Sequence, residues 1–193
     1  EIKLKDLLYG LMLRSGNDAA IMISTYISGS EEEFVKLMNK KAKEIGMKNT
    51  IFYNSSGLDN TTRGNLSTSY DMALLTKYAM QNETFRSLVS KTSYKLPTTN
   101  KYDKEDRYFT TTNALLYNNE YYYKYATGIK TGFTTPAKNC LIASAKKNDL
   151  ELLTIVLGAD QNEEGLSNRY LDTKNLFEYG YDNYTKREII KSG

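Results

Sequence analysis

The spacing of apolar residues changes once along the chain, and that change limits the folds open to it. Leu4, Leu7, Leu8, Leu11 and Met12 recur at helical intervals and predict an amphipathic helix ending near Arg14. Ser15-Gly16-Asn17-Asp18 interrupts it. Ala19-Ala20-Ile21-Met22-Ile23 then runs apolar on all sides, the pattern of a helix buried all round. Ser30 and Glu33 form a capping box for a helix carrying Phe34, Leu37, Met38, Ala42 and Ile45, with Gly46 placed to end it. Thr50-Ile51-Phe52 reads as a short extended piece within a long polar stretch that reaches residue 66. Thr68 with Asp71 opens another helix through Met72, Leu75, Tyr78 and Ala79, and residues 84–89 form a shorter one. Residues 92–96 read as a strand and 97–107 as a polar loop.

From about Gly128 the pattern becomes that of strands. Residues 139–145 and 150–157 are β-rich runs joined through Lys147-Asn148-Asp149, which predicts an antiparallel hairpin. Leu171, Leu176 and Tyr179 predict a last helix before Gly180 and a polar tail. Helices, then antiparallel strands, then a closing helix predict an α/β (α+β) sandwich, an antiparallel sheet flanked by helices. A chain of 193 residues suits one domain, or one domain with a short piece of another.

Histidine is absent from the chain. That excludes a Ser-His-Asp triad, a Cys-His dyad and histidine-ligated zinc, leaving Lys, Asp, Glu, Tyr, Ser or one Cys for acid–base work. The single cysteine, Cys140, excludes an internal disulfide and any multi-cysteine metal site, and its apolar neighbours predict a buried small hydrophobe. A net charge of +3 without a basic tract, and no glycine-aromatic signature around the 17 tyrosines, argue against nucleic acid. Lys40, Lys41 and Lys43 read as a solvated helix face. No apolar run approaches the roughly 18–20 residues that span a bilayer.

Two short elements stand out. Ser15-Gly16-Asn17 lies in a loop between helices, and Lys130-Thr131-Gly132 lies at the start of a predicted strand, 115 positions later. Each alone is weak: Ser-Gly-Asn is ordinarily a turn or cap, and Lys91-Thr92-Ser93 shows how easily a near-copy of the second arises. In this order and in these contexts they match S-x-N and K-T-G, two of the three signatures of penicillin-binding proteins and serine β-lactamases.

The surrounding residues sharpen the likeness. Leu7-Leu8-Tyr9-Gly10 leading to Ser15–Ala20, Gly57-Leu58-Asp59, Ser67-Thr68 with Asp71-Met72-Ala73, Asn113 before Leu115-Leu116, residues 128–134, and Arg169 with Tyr179-Gly180-Tyr181 resemble the low-molecular-mass D-alanyl-D-alanine carboxypeptidases. The likeness covers about residues 1–184, identified as a partial penicillin-binding catalytic domain of β-lactamase/transpeptidase-like fold; residues 185–193 are a tail or the start of a C-terminal β-rich domain. Asn65 stands where many relatives have histidine, and Lys138 where glycine is usual, which puts local loop geometry in question rather than the reaction.

The resemblance implies roles for the residues present. Ser15 would relay a proton, Asn17 would hold the substrate's peptide group, and Lys130 and Thr131 would engage its terminal carboxylate. Gly132 would leave room for substrate beside the strand, the backbone N–H of Phe133 would form half of an oxyanion hole, and Arg169 would also reach the carboxylate unless it serves only in a surface ion pair. The implied substrate is a peptidoglycan stem peptide ending in D-Ala-D-Ala, cleaved through an acyl-enzyme. β-Lactams would be inhibitors, the location extracytoplasmic, and no metal or organic cofactor is implied.

The family's nucleophile motif, S-x-x-K, is not found before Ser15. The one match, Ser144-Ala145-Lys146-Lys147, follows Lys130 and sits in a strand running into a turn, so it reads as coincidence. The expectation is that the real motif lies upstream of Glu1, the N-terminal part being missing from this chain. Leu7, Leu11, Ile21 and the hairpin should then lack part of their apolar partner surface. Two other readings stay open: a class A β-lactamase, whose usual E-x-x-L-N string does not occur between Ser15 and Lys130, and a non-catalytic envelope scaffold that binds stem peptide.

Overall fold

A computed structural model describes residues 1–59 and 63–187. The chain opens with three helices, α1 (Leu4–Arg14), α2 (Asn17–Ser28) and α3 (Glu31–Glu44). Helix α3 begins as its capping residues dictate, the Ser30 hydroxyl accepting the Glu33 N–H at 3.2 Å. It closes at Gly46, whose φ of +86° costs little without a side chain. Helices α4 (Ser69–Ala79) and α5 (Glu83–Val89) follow, capped by Thr68 and Asn82 side chains that accept from Asp71 and Phe85. Strands β1 (Ser93–Lys95) and β2 (Tyr108–Thr110) form a small antiparallel ribbon beside α1. A single 3-10 turn, Ala114–Leu116, leads to the main sheet.

That sheet consists of β3 (Ala126–Thr134), β4 (Lys138–Lys147) and β5 (Leu150–Ala159), antiparallel throughout in the order β3-β4-β5. Lys147 pairs with Leu150, so Asn148 and Asp149 alone make the predicted turn, with Asn148 at φ +54°. Side chains alternate between the two faces. Leu141, Ala143 and Ala145 of β4 pack against Tyr170 and Phe177 of the last helix, α6 (Asn168–Asn183). Ile142 and Leu153 point the other way, toward Met80, Val89 and Met12 of the helical layer. Helices therefore cover both faces, as the order of elements predicted.

Four local expectations need correction. Helix α2 is not buried all round: Ala19, Ala20 and Ile23 are buried, but Ile21 and Met22 are 45 % and 47 % exposed. Gly180 does not end α6 but lies inside it, where an added Cβ would stand 2.5 Å from Leu152 Cδ1; the missing side chain lets the helix settle on β5. The buried stripe of α6 is Tyr170, Thr173, Phe177 and Gly180, while Leu176 and Tyr179 face outward. Residues 108–110, given no strand in the sequence reading, pair as β2 with β1.

Many tyrosines are structural. Tyr121 stacks on Tyr170 and Tyr123 on Phe177, at centroid distances of 4.6 and 5.5 Å. Lys41 pairs with Glu44 on the solvent side of α3, the solvated face its sequence predicted. The stretch Lys186-Arg187-Glu188-Ile189-Ile190, read as the lead-in to a β-rich domain, falls outside the described residues from Glu188 onward. No helix among the described residues is long and apolar enough to cross a membrane.

Candidate active site

The end of α1 builds the first wall of a cleft. Ser15 closes that helix in the left-handed conformation, φ +56°, its N–H donating to Leu11 O at 3.1 Å. A non-glycine residue there stores roughly 1 kcal/mol or more of backbone strain, a feature that collects at functional sites. Neither Ser15 nor Asn17 spends its side chain on capping: Gly16 occupies the cap position of α2 and makes no side-chain cap bond. The Asn17 amide has no hydrogen-bond partner among the described residues.

The opposite wall is β3, an edge strand whose outer side pairs with no other strand among the described residues. Lys130, opposite Ile142 in the ladder, is half-buried, and its ammonium donates to the Ser15 hydroxyl and to the Thr131 carbonyl, the latter at 2.7 Å. Burial lowers the Lys130 pKa to about 8, and the positive charge of Arg169 adds to the shift. Arg169, at the start of α6, donates to the Gly132 carbonyl at 3.3 Å, and its guanidinium lies 4.8 Å from the Tyr170 ring centroid. Among the described residues neither Lys130 nor Arg169 forms an ion pair, so the surface-pair reading of Arg169 has no partner to rest on. Two cations thus flank Thr131-Gly132 without a neutralising carboxylate, an arrangement suited to an anionic ligand.

The cleft between the walls has a volume of about 370 Å³. Ser15, Asn17, Lys130, Thr131, Gly132 and Phe133 line it together; Arg169 reaches it through the Gly132 backbone. Phe133 is 67 % exposed at its mouth. Sequence reasoning gave no role to Ser56-Gly57-Leu58, which forms the rim; the signal for that turn was Asn54, whose side chain accepts the Gly57 N–H at 2.7 Å, with Gly57 at φ +81°. Cys140 is a correction: it is half-buried and faces the cleft rather than the core, its thiol 3.4 Å from the Ala137 carbonyl. Ser144, the serine of the displaced S-x-x-K match, is fully buried and hydrogen-bonded to Thr127 at 2.7 Å, out of reach of any ligand. A second cavity of about 530 Å³ continues from Lys130–Gly132 along the sheet, walled by Leu66, Met72, Ile142 and Leu157.

Helices on both faces of an antiparallel sheet, with an S-x-N loop bonded to a K-T-G edge strand, define a domain of the penicillin-binding type. The sequence profile of the D-alanyl-D-alanine carboxypeptidases matches residues 1–161, and the chain belongs to that family. It is 37 % identical over 191 residues to the D-alanyl-D-alanine carboxypeptidase DacF of Bacillus subtilis, a match covering 99 % of this chain and 46 % of that protein. A D-alanyl-D-alanine carboxypeptidase from Mycobacterium tuberculosis has a similar structure, with a TM-score of 0.84 at 27 % identity, covering 95 % of this chain and 66 % of the other. So does penicillin-binding protein D2 of Listeria monocytogenes in its cefotaxime-bound form, with a TM-score of 0.75 at 32 % identity over 93 % and 66 % of the two chains. The chain spans less than half the length of DacF and of most of the other curated relatives it matches.

Proposed function

We propose that residues 1–184 are part of the catalytic domain of a serine-type D-alanyl-D-alanine carboxypeptidase, and that residues 185–193 begin a tail or a further domain. The observation that carries this reading is the Lys130–Ser15 contact in a cleft whose cations await a carboxylate. The substrate is a peptidoglycan stem peptide ending in D-Ala-D-Ala, laid along the free edge of β3 as an added strand. Its terminal carboxylate meets Lys130, Thr131 and Arg169, and the Asn17 amide holds the peptide group before the scissile bond. Because peptidoglycan lies outside the cytoplasm, the protein acts there.

Acyl transfer needs a nucleophile, a proton path and an oxyanion site. The nucleophile is a serine hydroxyl of an S-x-x-K segment outside residues 1–193, reaching the cleft through the second cavity, whose exposed Leu66 and Leu157 such a segment would cover. That oxygen bonds to the carbonyl carbon of the penultimate D-alanine, whose C=O π electrons move onto the carbonyl oxygen, while the serine proton leaves to the lysine of the same S-x-x-K segment, the base. The tetrahedral oxyanion is held by the Phe133 N–H and the serine's own N–H. Ser15 accepts from Lys130, so its own proton is free to pass to the departing D-alanine nitrogen as the C–N bond breaks, and the proton taken up by the S-x-x-K lysine replaces it on Ser15. Water then attacks the ester, releasing the shortened peptide and restoring the serine. A β-lactam, itself an amide beside a carboxylate, acylates by the same first step. D-Alanine release from a D-Ala-D-Ala-terminated peptide by the full-length protein tests the reading; an L-Ala-terminated peptide cleaved as fast would contradict it.

A further inference from the structure

Thr112 belongs to neither sequence motif, yet it joins the three elements that carry the cleft. Its backbone N–H donates to the Leu13 carbonyl at 3.2 Å, at the end of α1 just before Ser15. Its carbonyl accepts the Tyr170 hydroxyl at 3.1 Å, beside Arg169 in α6. Its own hydroxyl lies 2.6 Å from that of Thr131 in β3.

The hydroxyl pair has a direction that matters. Each threonine hydroxyl carries one proton and two acceptor lone pairs. If Thr131 donated to Thr112, its proton would be spent there, and an anion in the cleft would meet only lone pairs. If Thr112 donates, the Thr131 proton stays free to turn into the cleft, which Thr131 lines. The Thr112 hydroxyl has no other partner among the described residues, so no second protein acceptor competes for its proton. An anion held between Lys130 and Arg169 selects the second arrangement.

We propose that Thr112 is a positioning residue: its hydroxyl donates to Thr131 Oγ1 and turns the Thr131 proton onto the substrate's terminal carboxylate. The proposal rests on the carboxypeptidase reading and adds to it a residue that touches no substrate. Backbone groups make the contacts to Leu13 and Tyr170, so Thr112→Val removes the donor and leaves both ties in place.

The test is a double-mutant cycle in the full-length protein, read as D-alanine release from a D-Ala-D-Ala peptide. Thr112→Val should raise KM roughly threefold to tenfold and leave kcat within about twofold, the scale of one neutral hydrogen bond lost from binding. Thr112→Ser, which restores the donor, should return KM to within about twofold of wild type. In a Thr131→Val background, where no Thr131 proton remains to be turned, Thr112→Val should have no further effect. If Val at this position prevents folding, Thr112→Ala enters the same cycle. An unchanged KM in Thr112→Val, or an equal loss with and without the Thr131 hydroxyl, would overturn the proposal. A wild-type protein that releases no D-alanine would overturn the functional reading itself, and the positioning role with it.

Discussion

The ammonium of Lys130 donates to the hydroxyl of Ser15, a contact between residues 115 positions apart. Replacing Lys130 with alanine in the full-length protein removes a charge-assisted contact worth about 1.5–3 kcal/mol. The expected result is a fall of roughly ten- to 150-fold in carboxypeptidase kcat/KM and in β-lactam acylation rate. Lys91→Ala, at an exposed position outside the cleft, should change neither by more than about twofold. Equal effects from the two variants would deny Lys130 its role.

The depressed pKa of Lys130 sets a pH dependence. Below about 8 the ammonium is charged and can hold a carboxylate; as pH rises through that value the charge is lost. The profile of kcat/KM, which reports the free enzyme, should therefore show an alkaline limb near pH 8. Lys130→Arg keeps its charge throughout and should move that limb upward by more than about one unit, at some cost in absolute rate. A limb unchanged in the arginine variant would assign it to another group.

The sequence carried the helical half of the fold because capping and periodicity are local signals: Ser30, Thr68 and Gly46 sit where their chemistry requires. It carried the Ser15 and Lys130 elements because their order and contexts resemble a known pattern, which spacing alone would not have supplied. What it did not carry depends on distant partners. The outward face of α2 at Ile21 and Met22 reads as core from composition, and only packing decides which side is covered. Gly180 reads as a helix stop until Leu152 is seen against it. Thr112 is silent in sequence because its role consists of three contacts to residues that lie far apart in the chain.

Asp71 holds the approach to the second cavity together. Its carboxylate, 1 % exposed, accepts the Asn49 N–H at 2.7 Å and the Thr50 hydroxyl at 2.8 Å, and Thr50 in turn bonds Ser67 at 2.8 Å. Asp71→Ala leaves the buried Thr50 hydroxyl and the part-buried Asn49 N–H without their acceptor, at a cost of about 2–3 kcal/mol. Thermal unfolding followed by circular dichroism should show Tm lowered by roughly 4–12 °C for a domain of this size. A shift under about 1 °C would mean that water replaces the carboxylate without penalty.

The central claim is that residues 1–193 supply the relay and the carboxylate grip, while the attacking serine comes from an S-x-x-K segment elsewhere in the protein. Mass spectrometry of the full-length protein, digested after incubation with benzylpenicillin, tests this directly. A single stoichiometric adduct is expected on a serine outside these 193 residues, and Ser15→Ala should slow its formation without relocating it. An adduct on Ser15 or Ser144, or no adduct on the folded full-length protein, would contradict the account.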